Sequence, residues 1–453
     1  MTELTGFQWA FISLSLVYLV WNLDSLWIDY LIFWHKIRPQ ALTQKDWFEI
    51  QAQPERKIAI LIPTWREESV ITQMLLGNSQ HIHYKNYQIF VGCYPNDWPT
   101  LQAVTQAQLQ NPQIRILLSS IPGPTSKGHL LNEMVDQLRK ETKSLFDIFV
   151  FQDAEDIIHP RSLALINKYS NDYDFIQLPV FSLQVPRSFS VGASYMDEFA
   201  EAHTRELLCR NRLCASVPSA GVGMAITRAA LEKMVQATGG KLLESQCLTE
   251  DYLLGIRAFS LGLRQVFACH FYQERSGEKN WVATREFFPN SVGMAVRQKA
   301  RWTEGITLQS PTHLGWFGNL TNRIFLLRDR KALLGNSAGF CGFLLLPTLL
   351  LGVIDLAPNP RALKALLFCN ILVILNRLFH RATSAAKIYG RRQALWVILR
   401  YPISVWVNGL ASFRALKNYW MSQWMQKPSL WVKTQHELPK NFGTAMAPSR
   451  VSL

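Results

Sequence analysis

The chain has 453 residues, 48% of them hydrophobic, with 15 Trp and 25 Phe: too long for one ordinary domain, and rich enough for a large core plus lipid contact. Its formal charge of +14 admits nucleic acid, anionic headgroups or an anionic small substrate, but much of the excess lies beyond residue 320 beside apolar segments, which favours a membrane face. No aromatic-basic RNA module or zinc-finger spacing occurs, so no nucleic acid partner is expected; seven scattered cysteines without a CxxC pair read as reduced and buried.

From Leu4 to Leu23 there are 20 residues without a formal charge, enough at about 1.5 Å per residue to cross roughly 30 Å of hydrocarbon. A cleaved signal peptide would carry a basic start and a small-residue cleavage site. Neither is present, and Trp27, Phe33 and Trp34 extend an aromatic margin, so a retained anchor is expected.

Lys57 to Pro63 is a short apolar run rich in β-branched residues, followed by Glu67-Glu68 and a helical apolar period through Val70, Ile71, Met74 and Leu75. The alternation repeats: strand Gln88 to Cys93, helix Leu101 to Leu109, strand Ile114 to Leu118, helix Leu130 to Leu138, strand Phe146 to Phe151. It predicts an α/β domain with a mostly parallel sheet, whose ligands lie beyond the carboxyl ends of the strands. Glu67, Asp97 and Asp153-Ala154-Glu155-Asp156 all follow such ends. One acid there is commonly a solvated turn; three at one edge point to a site. Carboxylates at a strand end suit Mg²⁺ or Mn²⁺, which takes one or two of them together with a diphosphate. Lys127, in Ser126-Lys127-Gly128-His129 before an amphipathic helix, favours an anion there. Glu250-Asp251 follows Thr249, a candidate cap, and puts a carboxylate at a helix start where it is a competent general base.

Beyond the core, Ala332 to Ile354 is a charge-free run of 23 residues, and Ala362 to Phe379 crosses if Lys364 and Arg377 snorkel. Arg377, Arg381, Lys387, Arg391 and Arg392 follow with no acid, which places that loop in the cytoplasm; counting back two crossings places residues 36 to 331 there too. Arg400 and Pro402 split the stretch Ala394 to Phe413, which is expected to lie in the interface rather than cross.

The set Ile62-Pro63-Thr64-Trp65-Arg66-Glu67-Glu68, Asp97, Asp153-Ala154-Glu155-Asp156, Thr249-Glu250-Asp251 and Gln298-Lys299-Ala300-Arg301-Trp302 resembles the membrane-bound family-2 glycosyltransferases that include polysaccharide synthases. Tyr94 to Asp97, Asp153 to Pro160, Pro218 to Gly223, Val296 to Trp302 and Trp431 to Glu437 are similar to the bacterial phage adsorption protein B group within it. The resemblance implies a GT-A-type, mostly parallel sheet domain with transmembrane and interfacial helices. It also implies inverting transfer from a nucleotide-sugar, in the first place a UDP-sugar, to a polysaccharide or lipid-linked acceptor at the inner membrane.

By the same resemblance, Glu67, Asp97, Lys127 and Asp153 bind the donor, and Asp153, Glu155 and Asp156 hold the metal. Asp251 is the base with Glu250 beside it, while Gln298, Arg301 and Trp302 serve the acceptor and the diphosphate. Partners so implied are membrane lipids and an envelope export or receptor protein; a single-addition lipid glycosyltransferase and an inactive scaffold are the alternatives. Glu155 departs from the usual second Asp of the metal element, and no RxxxR with a following DxSxxG suggests a cyclic di-GMP sensor. The expected organisation is an anchor at 1–35, a cytoplasmic glycosyltransferase domain at 36–310 and an interfacial region at 311–331. Two transmembrane helices at 332–380 follow, then a basic loop, interfacial helix and tail at 381–453.

Overall fold

The computed structural model describes residues 6–141, 145–185, 187–273, 279–350 and 360–426. Its central sheet is built in chain order from β1 (Ile58–Pro63), β2 (Tyr87–Cys93), β3 (Ile114–Leu118), β4 (Ile148–Phe151), β5 (Phe175–Gln177), β6 (Met224–Thr227) and β7 (Gln265–Phe267). The seven strands lie in the order β7, β5, β6, β4, β1, β2, β3. β1 is flanked on both sides by parallel neighbours, with Ile58 opposite Tyr87 and Ile148. Ile58 to Ile62 are therefore fully buried, which is why the run reads as continuously apolar instead of alternating. Each isoleucine and leucine among them contributes about 1.5–3 kcal/mol of burial free energy.

Pairing of β1 with β4 ends at Leu61 opposite Phe151, whereas its pairing with β2 continues to Pro63 opposite Gly92. The short β4 therefore releases the chain toward Asp153 early. Helices α1 (Ile71–His81), α2 (Trp98–Gln110) and α3 (Lys127–Lys140) make the crossovers, and Ser126 caps α3 by accepting from the His129 N–H at 3.2 Å. Because β1, β2 and β4 are parallel, Glu67, Asp97 and Asp153 leave one edge of the sheet. The mainly parallel expectation holds with one exception: β6 runs antiparallel to both β4 and β5. Its four-residue length gave no periodic signal, and Gly221 and Gly223, both at positive φ, turn the chain into it.

The chain divides into two units. One comprises 38–184 and 202–288 with the sheet and its core; the other comprises residues to 37, 185–201 and 289–430. The expected 36–310 segment is thus shared, with α4 (Val191–Glu201) and α6 (Val292–Thr303) in the second unit and α5 (Glu250–Ser260) in the first. In the second unit Gln8–Trp34, Lys364–Tyr389 and Arg391–Met425, of 27, 26 and 35 residues, are long and apolar enough to cross a membrane, and Ala332–Leu345 is a shorter apolar stretch. The expected span 332–354 forms a helix to Leu350; its remaining residues, like Trp431 to Glu437 and the tail, lie outside the described residues. The stretch 394–413, expected to lie in the interface, falls inside the 35-residue helix Arg391–Met425. All seven cysteines are free thiols, but Cys214 and Cys369 are exposed and Cys341 is half-buried, a correction to the expectation that all seven are buried.

Candidate functional site

At the carboxyl edge of the sheet the loops after β1, β2 and β3 are tied to one another. Asp97 is buried, and its Oδ2 accepts from the Arg66 N–H at 2.5 Å, holding Arg66 at φ 55°. The Glu67 N–H donates to Thr100 Oγ1 at 2.8 Å. Asn96 exchanges two hydrogen bonds with the Gly123 backbone, 2.6 and 2.7 Å, and the Tyr94 hydroxyl meets Thr125 Oγ1 at 2.6 Å. Trp65 stands edge-on to Tyr94 at 5.4 Å. Glu67 and Asp97 thus belong to one braced wall, and Asp97 organises the loop that carries Glu67.

Lys127, the first residue of α3, reaches Asp153 Oδ1 at 2.5 Å. Burial works against its charge, but Asp153, then Asp251 and Glu250, outweigh that and raise the ammonium above its ordinary value. Residues 127, 153, 250 and 251 therefore converge, as the sequence order suggested. Two glycines allow the approach. A Cβ on Gly128 would stand 3.1 Å from Glu250 Cγ, and one on Gly221 would fall 2.3 Å from Asp251 Oδ2. Asp251 Oδ1 accepts from the Tyr252 N–H at 2.7 Å, whereas Thr249 precedes the helix without a side-chain capping bond, so its expected capping role is corrected.

The three carboxylates expected at the metal, Asp153, Glu155 and Asp156, differ in their surroundings. Among the described residues no group of three or more Asp, Glu, His or Cys converges as a metal cage. Asp156 is turned under the chain: it is fully buried, and its Oδ2 accepts from the Asp153 N–H at 2.6 Å. Burial, and then the nearby Glu286, Asp153 and Glu155, push its carboxyl well above the usual range. Asp153 keeps a side chain 30% exposed. Its oxygens suit a hard divalent ion that draws its other ligands from a diphosphate, whereas Glu155, two residues on, is buried.

In the second unit α6 carries Gln298, Arg301 and Trp302. Lys299 between them is buried and forms an ion pair with Glu198 of α4 at 2.5 Å, with Asn408 Oδ1 accepting from it at 2.9 Å. Asn408 Nδ2 also donates to Glu198 Oε1 at 3.0 Å, so it bridges both partners, while burial pulls the Lys299 ammonium below its ordinary value against the pull of Glu198. Burial opposes the Glu198 charge, but Lys299 and then Arg381 hold its carboxyl down to about 2. The Trp302 ring packs edge-on against Tyr195 and Phe199, each 6.2 Å away. Gln298 Oε1 and Arg301 Nε are buried atoms with no hydrogen-bond partner among the described residues.

A family profile described as "Glycosyltransferase like family 2" matches residues 54–305. The chain belongs to that family. It is 31% identical to "Bacteriophage adsorption protein B" of Escherichia coli (strain K12), and equally to "Bacteriophage N4 adsorption protein B" of Escherichia coli O157:H7, over 98% of its own length. It spans 64% of the length of those curated relatives. Its fold matches "Mannosyltransferase PcManGT from Pyrobaculum calidifontis in complex with GDP-Man and Mn2+" with a TM-score of 0.56, at 14% identity, over 91% of this chain and 99% of that one. The family-2 domain accordingly has the GT-A fold.

Sequence reasoning missed several residues that hold this family-2 site in place. Gln177 Oε1 accepts from the Ala220 N–H and Gln152 Oε1 from the Gly223 N–H, both buried glutamines supporting the loop under Asp251. Gln152 ends an apolar strand one residue before Asp153, the one signal that marked it. Glu198 in the second unit had none, since its partners Lys299 and Asn408 are remote in sequence.

Proposed function

We propose that the chain is an inverting, metal-dependent glycosyltransferase of the inner membrane that moves a sugar from a nucleotide-sugar to a growing polysaccharide or lipid-linked acceptor. The reading rests above all on Lys127 set among Asp153, Asp251 and Glu250 at the edge of a parallel sheet. Glu67 and Asp97 take the nucleoside side of the donor; Lys127 and Asp153 take its diphosphate. Asp153 with Glu155 would hold a Mg²⁺ or Mn²⁺ ion, which neutralises charge on the leaving diphosphate. Gln298, Arg301 and Trp302 on α6 are assigned to the acceptor and the diphosphate by the family resemblance alone.

Asp251 accepts the proton of the acceptor hydroxyl while that oxygen bonds to the anomeric carbon from the face opposite the diphosphate. The bond from the anomeric carbon to the diphosphate oxygen breaks, and the nucleoside diphosphate leaves. Positioning and fixed charge supply most of the barrier reduction. The mannosyltransferase described with GDP-Man and Mn2+ supports a nucleotide-sugar and a divalent ion, and keeps GDP-sugars beside UDP-sugars as donors. Relatives named for bacteriophage adsorption support an envelope receptor or export protein as a partner.

The test supplies membranes containing the chain with radiolabelled UDP-sugars and GDP-mannose and sizes the product. Transfer from one donor, abolished by Asp251→Asn with nucleotide affinity retained, is the expected result; normal transfer by Asp251→Asn removes the base assignment.

A further inference from the structure

We propose that Lys127 makes metal binding conditional on the donor: its ammonium holds Asp153 until the diphosphate of a nucleotide-sugar offers another acceptor, so that cation and donor bind as one unit. This rests on the glycosyltransferase reading above. The Lys127–Asp153 pair is 2.5 Å long, with side chains only 20% and 30% exposed, so it is not a water-screened surface contact. A divalent ion seated on Asp153 would share one carboxylate with that ammonium, and like charges at such range repel strongly where water is scarce.

The protein alone also lacks a full cage, since no three ligating side chains converge among the described residues. A diphosphate resolves both difficulties. It supplies oxygen ligands to the ion, and it draws Lys127, which opens α3 where backbone N–H groups already favour an anion. Asp251 and Glu250, also in electrostatic reach of Lys127, keep the released ammonium within the crevice.

Linkage requires the nucleotide to raise metal affinity by the factor by which metal raises nucleotide affinity. The experiment uses the full chain in nanodiscs, with Mn²⁺ titrated by electron paramagnetic resonance alone and with saturating UDP or GDP. In the wild type the nucleoside diphosphate is expected to tighten Mn²⁺ roughly 10-fold or more, within the usual range of coupled sites. Lys127→Met should bind Mn²⁺ alone more tightly than the wild type and show a smaller coupling, keeping only the share that the diphosphate oxygens supply as ligands; Lys127→Arg, which keeps the charge, should retain the full coupling. Equal Mn²⁺ affinity with and without nucleotide in the wild type overturns the proposal whatever the variants do. So does a folded Lys127→Met with unchanged metal-only affinity and coupling. If neither UDP nor GDP binds the wild type at all, it is the glycosyltransferase reading that falls.

Discussion

Gly221 decides where Asp251 can stand. Its φ of +81° is strained for any other residue, and an added Cβ would meet Asp251 Oδ2 at 2.3 Å. Gly221→Ala should therefore displace the carboxylate while leaving the β1–β2 wall intact. Because a misplacement of about 1 Å costs on the order of 100-fold in rate, kcat is expected to fall by about that factor with donor affinity nearly unchanged. Equal loss of nucleotide binding would show that the loop serves the donor instead. At this scale the charged residues were legible and their supports were not. Asp153 follows an apolar strand and Asp251 opens an apolar helix, where a charge is conspicuous, while Lys127 stands where a Pro- and Gly-containing turn meets a helix. Asp156 looks identical to Asp153 in sequence; only the turn that sends its Oδ2 back to the Asp153 N–H separates them. A matching contrast follows: Asp153→Asn should abolish Mn²⁺-dependent nucleotide binding, whereas Asp156→Asn, which keeps an acceptor for that N–H, should preserve it within a few-fold in the same titration.

Among the helices, α4 presents Asp197, Glu198 and Glu201, and each is met by a cation from a different later helix. Arg400 grips both oxygens of Asp197 at 2.6 and 2.8 Å, Lys299 takes Glu198, and Arg381 takes Glu201 at 2.7 Å. The family resemblance marked Gln298 to Trp302 but could not pair Lys299 with a residue about a hundred positions earlier. The strand β6 escaped for a different reason, since four residues between a glycine and a helix carry no period. The Glu198 pair has a pH signature. A carboxyl held below its unfolded value of 4.5, here at about 2, stabilises the fold above that value and loses the contribution as pH falls between the two. Glu198→Gln should thus lower the melting temperature at neutral pH, and the gap from the wild type should close on acidification from pH 4.5 toward 2. A gap that stays constant across that range would assign the loss to packing alone. Because buried ion pairs broken on one side are costly, about 3 kcal/mol is the expected scale at pH 7.

For the molecule as a whole, the decisive question is on which side the long final helix ends. Length and composition let Arg391–Met425 cross, yet one stripe of it is committed elsewhere: Val397, Arg400, Ser404, Val407, Ala411 and Ala415 are buried, while Leu395, Ile398 and Leu399 are exposed. Arg400 meets Asp197, Asn408 meets Lys299 and Glu198, and Ala411 with Ala415 packs on Ala300 of α6. Helices α4 and α6 carry these charges, and a full crossing would draw the whole network into hydrocarbon, where each charge is costly. A helix that lies in the interface keeps the buried stripe on α4 and α6 and offers its exposed apolar side to lipid. Both of its ends should then face the cytoplasm. Replacing Cys214 and Cys369, the two exposed cysteines, gives a quiet background for single cysteines at Arg392 and Gln426. With a membrane-impermeant maleimide, both are expected to react in inverted vesicles and neither in intact spheroplasts. Labelling of position 426 in spheroplasts while 392 stays protected would mean that the helix crosses. Asp197→Asn separates the causes, because an interfacial helix held by the Arg400 pair should lose protease resistance without changing sides.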